Sequence, residues 1–312
     1  MSGLVTLGET LGLLAQATAG FVHNGEAMTF GMGGAESNVA IGVRRLGVPA
    51  TWIGRLGDDP AGALIRRELR AEGVETMVVD DPAPTGLMLR WRPAPGHGRV
   101  VYYRRDSAGA HLCADDIPDR AVRDAAVFHA TGITLALGAG PADAVTHGVA
   151  VARAAGTTVS FDVNHRSALW SEAEAAAAVA AVLPACDVAF AGLDEARMVT
   201  GAPDAAGAAA ALAALGPAQV VIKLGAAGCL ARIEGTIYEV PAPRVTAVDT
   251  VGAGDGFVAG YLAELICGAG PEQRLATAIT AGALAVTVPG DWEGLPHRQA
   301  LGLLTATEPV IR

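Results

Sequence analysis

The sequence predicts an α/β protein with a central, mainly parallel sheet flanked by helices and a small β-strand lid. Apolar, β-rich runs alternate with longer helical stretches, the rhythm of βα units whose sheet is covered on both faces. Two stretches, 11–30 and 85–105, break that rhythm; the second holds a Pro93-Ala94-Pro95-Gly96-His97-Gly98 turn between two strand-like segments. At 312 residues the chain can bury a full core. It reads as one domain over 1–312, with the two irregular stretches inserted as the lid.

Core strands are expected at 4–7, 51–54, 126–130, 158–162, 188–191 and 219–224. Helices are expected at 37–46, 60–72, 141–155, 173–183, 205–215, 254–267 and 271–286, the last two with apolar residues at helical spacing. Along the second lid strand, alternation puts Tyr102 and Arg104 on one face and Tyr103 and Arg105 on the other. One face either lines a pocket or forms a solvated basic edge. An exposed lid edge can also pair with a second copy, so a dimer or higher homo-oligomer is expected.

Bulk properties narrow the function. Hydrophobic residues make up 51%, yet much of that is alanine. The longest aliphatic stretch, 175–183, is nine residues ended by Pro184, well short of the roughly 20 needed to cross a bilayer. No membrane association is expected. The N-terminus has no basic flank and reaches Glu9 early, so it reads as a first strand and not as a signal peptide. Cys113, Cys186, Cys229 and Cys267 show no CxxC spacing and read as small buried hydrophobes of a reducing cytoplasm. The seven histidines show no paired metal spacing. A net charge of −10 disfavours nonspecific nucleic-acid binding, so an anionic substrate must be met by local cations.

The most informative stretch is Val248-Asp249-Thr250-Val251-Gly252-Ala253-Gly254-Asp255-Gly256-Phe257. Gly252, Ala253 and Gly254 let a ligand approach the backbone, and the following helix supplies unpaired amides and a positive dipole end, which suits phosphate. Asp255 is either a helix cap or, in the same geometry, a base that accepts the proton of an attacking hydroxyl while the amides stabilise the transferring group. Asp249 is a second acid near metal or phosphates, or a turn former.

This segment resembles the C-terminal signature of the PfkB, or ribokinase-like, carbohydrate kinases, close to Asp-Thr-x-Gly-Ala-Gly-Asp-x-Phe. Gly33-Gly34-Ala35-Glu36-Ser37-Asn38-Val39-Ala40 and Arg45-Leu46-Gly47 resemble its N-terminal signature, so the likeness covers nearly the whole chain. It implies a ribokinase-like fold with the lid over the sugar, with ATP and Mg2+ as cofactors and K+ or another monovalent cation as a further candidate. It implies that Gly34 and Asn38 approach the sugar and that Gly252, Ala253, Gly254 and Asp255 are catalytic. Gly8-Glu9 matches an early Gly-acid pair near the substrate, or is a turn.

Within the family the sequence is similar to the branch acting on 2-keto-3-deoxygluconate, through 34–38, 102–108, 161–166 and 290–296. That likeness implies that Tyr102, Arg104 and Arg166 meet a sugar acid and that Asp291 reaches its hydroxyls. A substrate carboxylate explains the arginines, because guanidinium forks bind carboxylates at two points; alternatively, Arg166 pairs with Asp162 or caps a helix. Asn164 and Arg166 are also candidates for the nucleotide side, with Lys223, Gly225 and Gly228 in a strand and turn resembling the one beside ATP. A plain β-turn and a strand-end charge explain those last three as well. Two departures stand out. Met88 occupies a position where this branch has a tyrosine, and the Asn-x-x-Glu motif associated with magnesium reads Gly192-Leu193-Asp194-Glu195, keeping Glu195 as a candidate near the metal. Fructokinase, ribokinase and nucleoside kinase are the alternative readings.

Overall fold

The structure, a computed structural model, describes residues 3–94 and 97–304. Its strands are β1 (Leu4–Leu7), β2 (Leu11–Gln16), β3 (Met28–Gly33), β4 (Ala50–Gly57), β5 (Glu75–Asp81), β6 (Leu87–Ala94), β7 (His97–Tyr103), β8 (Val127–Thr131), β9 (Thr158–Asp162), β10 (Val188–Gly192), β11 (Gln219–Lys223), β12 (Cys229–Ile233) and β13 (Thr236–Val240). The helices are α1 (Ala35–Arg45), α2 (Pro60–Ala71), α3 (Asp119–Asp124), α4 (Gly132–Ala136), α5 (Ala139–Ala155), α6 (Glu172–Val182), α7 (Leu193–Thr200), α8 (Ala205–Ala214), α9 (Ala253–Ile266) and α10 (Pro271–Ala285).

Nine strands form the main sheet in the order β13-β12-β11-β10-β9-β8-β1-β4-β5. From β5 to β11 all neighbours are parallel, while β12 and β13 add an antiparallel edge. Successive residues of the central strands point to opposite cores, as Leu4 and Val5 or Phe190 and Ala191 do. One core packs α1, α2, α9 and α10 on the sheet through residues such as Ile41, Ile65, Leu262 and Leu275. The other packs α5, α6 and α8 through Val145, Val179 and Leu212. Burial on both faces explains why the central strands read as continuous apolar runs.

The outer strands β5, β12 and β13 are absent from the sequence reading, β5 and β13 for a physical reason. β5 and β13 are largely half-exposed or exposed and carry mixed residues, so no apolar run marks them. β4 also runs to Gly57, three residues past its apolar stretch.

The lid is a second, four-stranded sheet, β3-β2-β6-β7, built from the two irregular stretches. Its outer pairs are antiparallel, but its central pair, β2 with β6, is parallel. The expected hairpin is β6–β7, with Met88 opposite Tyr102 and Arg90 opposite Val100. The Pro95-Gly96 part of its turn lies outside the described residues. Leu11, Leu13 and Met88 form the lid's small buried core.

Candidate active site

The parallel strands end under the lid, and the loops leaving their carboxyl ends supply the floor of a cavity of about 390 Å3. Glu9 follows β1; Asp162 ends β9, and Asn164 and Arg166 follow it; Lys223 ends β11. The first turn of α1 adds Gly34 and Asn38, the start of α9 adds Gly252, Gly254 and Asp255, and the lid adds Met88, Arg90, Tyr102 and Arg104. Asp291 completes the wall.

Gly252 is the hinge of the anion loop. It is left-handed, with φ 76°, and a Cβ there would collide with the backbone carbonyl oxygen of Asp291. The amides that follow have no earlier helical carbonyl to pair with and open toward the cavity. Asp255, in the first turn of α9, is enclosed on its protein side and half-buried where it meets the cavity. That desolvation pushes its carboxyl up to about 6, against the hydrogen bond from Asn38 Nδ2 to its Oδ2 at 2.8 Å and the field of Arg166. Asn38 therefore orients the candidate base, and its own Oδ1 is buried without a partner.

Lys223 stands beside Gly254. Its Nζ donates to both oxygens of Asp162, at 2.8 and 2.7 Å. Burial alone would depress its pKa, but Asp162 and Glu195 hold it raised, so a fixed positive charge faces the anion loop. Asp162 is thus committed to Lys223, and the expected alternative of an Arg166–Asp162 pair is overturned. Arg166 donates only to the neighbouring His165 carbonyl, at 3.1 Å, and forms no ion pair among the described residues. Arg104 is different. Its Nε donates to Glu9 Oε2 at 2.7 Å, its Nη2 reaches the same oxygen, and its guanidinium stacks over Tyr102 at 4.9 Å. Glu9, buried and also bound by Ser107, neutralises it.

The two candidates near the metal are engaged with protein. Glu195 accepts from the amides of Gly192 at 2.6 Å and His165 at 2.9 Å, tying together the loops after β9 and β10. Asp249 accepts from the Val251 amide at 3.2 Å and from Arg92 at 3.0 Å. Among the described residues no group of three His, Cys, Asp or Glu forms a metal site. Asp291, expected to reach substrate hydroxyls, accepts from Arg90 at 2.7 Å, and burial pushes it up to about 7. Arg90 and Arg92 are absent from the sequence reading, although they share a strand face with Met88, two and four residues on, and that alternation was the available signal.

A second cavity of about 660 Å3 opens beyond the anion loop. Its walls are mainly apolar, with Val245, Ala253, Phe257, Ile279 and Val286 among them; Arg244 adds a cation, and Gly225 and Gly228 line it at φ 58° and 107°. It shares only Lys223, Thr250 and Gly254 with the first cavity. Asn164 and Arg166 line the first cavity and not the second, so geometry groups them with the acceptor. An apolar slot leading to amides and one lysine fits a nucleoside triphosphate, base in the slot and phosphates at the junction. A magnesium ion would enter on those phosphates, with few protein ligands of its own.

A mainly parallel α/β sheet, a glycine-rich helix start with a carboxylate beside it, and two abutting cavities are the arrangement of a phosphotransferase acting on a small hydroxyl compound. The pfkB family carbohydrate kinase model matches residues 1–298, and the chain belongs to that family. It is 35% identical over 314 residues to the 2-dehydro-3-deoxygluconokinase of Bacillus subtilis, covering 98% of this chain and 96% of that one. It is 38% identical over 292 residues to the 2-dehydro-3-deoxygalactonokinase of Haloferax volcanii, covering 92% of each. A candidate ribokinase II from Escherichia coli, solved with ATP and Mg2+, superposes with a TM-score of 0.90 at 25% identity, covering 98% of this chain and 99% of that one. This protein is a carbohydrate kinase with a ribokinase-like fold, and no helix among its described residues is long and apolar enough to cross a membrane.

Proposed function

We propose that the chain transfers the γ-phosphoryl group of ATP to a primary hydroxyl of 2-keto-3-deoxygluconate, the 2-dehydro-3-deoxy sugar acid of its relatives. The observation that carries this reading is the placement of Asp255 and the unpaired Arg166 guanidinium in one cavity that meets the nucleotide slot only at the anion loop. Arg166 binds the substrate carboxylate, a role Arg104 is less suited to while Glu9 neutralises it. Asp255 takes the hydroxyl proton; the freed oxygen pair attacks the γ-phosphorus as its bond to the β–γ bridging oxygen breaks and ADP leaves. The amides after Gly252 and the Lys223 ammonium stabilise charge on the equatorial oxygens, which is most of what a loose phosphoryl-transfer transition state requires. Magnesium bound to the phosphates would neutralise their charge and align them.

Steady-state kinetics with the keto acid, its galacto epimer, fructose and ribose test the reading, together with Arg166→Ala. The expected result is a preference for the acids and a KM for them raised roughly 10- to 100-fold by Arg166→Ala, as loss of a charged hydrogen-bond pair implies. Faster turnover of ribose or fructose, with no effect of Arg166→Ala, would favour a neutral sugar. Met88 supports that second reading, since it removes a hydroxyl from the lid wall.

The remaining assignments belong to the same proposal. The chain acts as one domain with its lid, as a homodimer or larger homo-oligomer, with a monovalent cation as activator. Four free cysteines and the use of ATP suit a cytoplasmic setting.

A further inference from the structure

Two lid arginines grip the two aspartates on either side of the anion loop, and the chemistry above leaves them without a role. Arg90 and Arg92 lie two residues apart on β6 and so share a face. Arg92 Nη2 donates to Asp249 Oδ2 at 3.0 Å. Arg90 Nη1 lies 3.5 Å from that same oxygen and donates to Asp291 Oδ1 at 2.7 Å. Each aspartate also holds the loop directly. The other oxygen of Asp249 accepts the Val251 amide at 3.2 Å, and the Asp291 carbonyl backs Gly252 so closely that no side chain fits between. The side chains of Arg90, Asp249 and Asp291 are only 9–11% exposed, so their charges interact through little water.

We infer that Arg90 and Arg92 are positioning residues: through Asp249 and Asp291 they fix Val251 and Gly252 in the conformation that aims the α9 amides at the transferred group. The inference rests on the reading of that loop as a phosphoryl cradle. A lid arginine that merely tethers the lid would alter how tightly the sugar is held. One that shapes the loop alters the turnover of enzyme already saturated with sugar.

Arg92 does not line the acceptor cavity, which makes it the cleaner residue to change. The experiment compares Arg92→Met, Arg92→Lys, Asp249→Asn and the double variant Arg92→Met/Asp249→Asn, each first shown to melt cooperatively. Amide exchange at Val251 is followed by NMR in the protein without substrates, and kcat and KM are measured with the keto acid. For Arg92→Met, exchange at Val251 should speed up and kcat fall by about ten-fold each, with KM changing less, in the range usual for residues of one network. Arg92→Lys should recover part of both effects, and the double variant should be no worse than Asp249→Asn alone. Unchanged exchange at Val251 in Arg92→Met, or a double variant whose effects are the sum of the two singles, overturns the inference. Faster exchange with an unchanged kcat upholds the coupling of lid to loop and counts instead against the cradle reading.

Discussion

A carboxyl group that works as a base must lose its proton before the reaction and hold the next one loosely enough to pass it on. Asp255 meets this condition through its surroundings: enclosure raises it to about 6, while Asn38 and Arg166 limit the rise. The rate should therefore fall as pH drops below about 6, a limb that a pH series of kcat/KM checks. Linkage gives the sign for stability. The folded state holds the Asp255 proton more tightly than the unfolded chain, so stability is lost as pH rises from about 4 to 6, by up to about 3 kcal/mol. Asp255→Asn should cut turnover about 10^2- to 10^4-fold while leaving ATP binding largely intact. It should also melt above the parent at pH 8, with the gap closing toward pH 4, as calorimetry would show. The position of Gly252, Gly254 and Asp255 at a helix start beside a cavity was legible because they fall within four successive residues. The Glu9–Arg104 pair was not, because its partners lie 95 positions apart and only the fold brings them together.

At the scale of elements, the start of α9 carries the most constraint. Gly252→Ala would place a side chain at φ 76° and against the Asp291 carbonyl, so the loop must move. A loss of roughly 1 to 3 kcal/mol in stability is expected from such backbone strain, together with a fall in kcat, measured by denaturant unfolding and steady-state assay. The seven expected helices were legible in the sequence, with ends displaced by no more than two residues, as capping and fraying allow. The lid was legible as an interruption, and its β6–β7 hairpin from a turn. Its parallel β2–β6 contact was not, since pairing between segments so far apart leaves no local mark. Short helices such as α3 and α4, held by tertiary packing, left none either.

For the whole molecule, the outer face of the lid is the conspicuous surface. Phe30, Leu14, Leu89 and Val101 stand side by side across its four strands, on the face away from the cavity, with Phe30 45% and Val101 39% exposed. A row of that kind is suited to meeting its copy, so Leu89→Lys should lower the mass found by sedimentation equilibrium if the proposed homo-oligomer forms there. With a net charge of −10 the protein has to meet a phosphate with local cations, and Lys223 is the one that lines both cavities among the described residues. Chelating Mg2+ should accordingly abolish turnover, and adding it back should restore it, since the protein offers no second divalent site among its described residues.

The junction itself has a practical side. Because the two cavities have just Lys223, Thr250 and Gly254 in common, a bisubstrate inhibitor that joins an adenosine polyphosphate to an aldonic-acid mimic needs a tether slim enough to thread past a glycine.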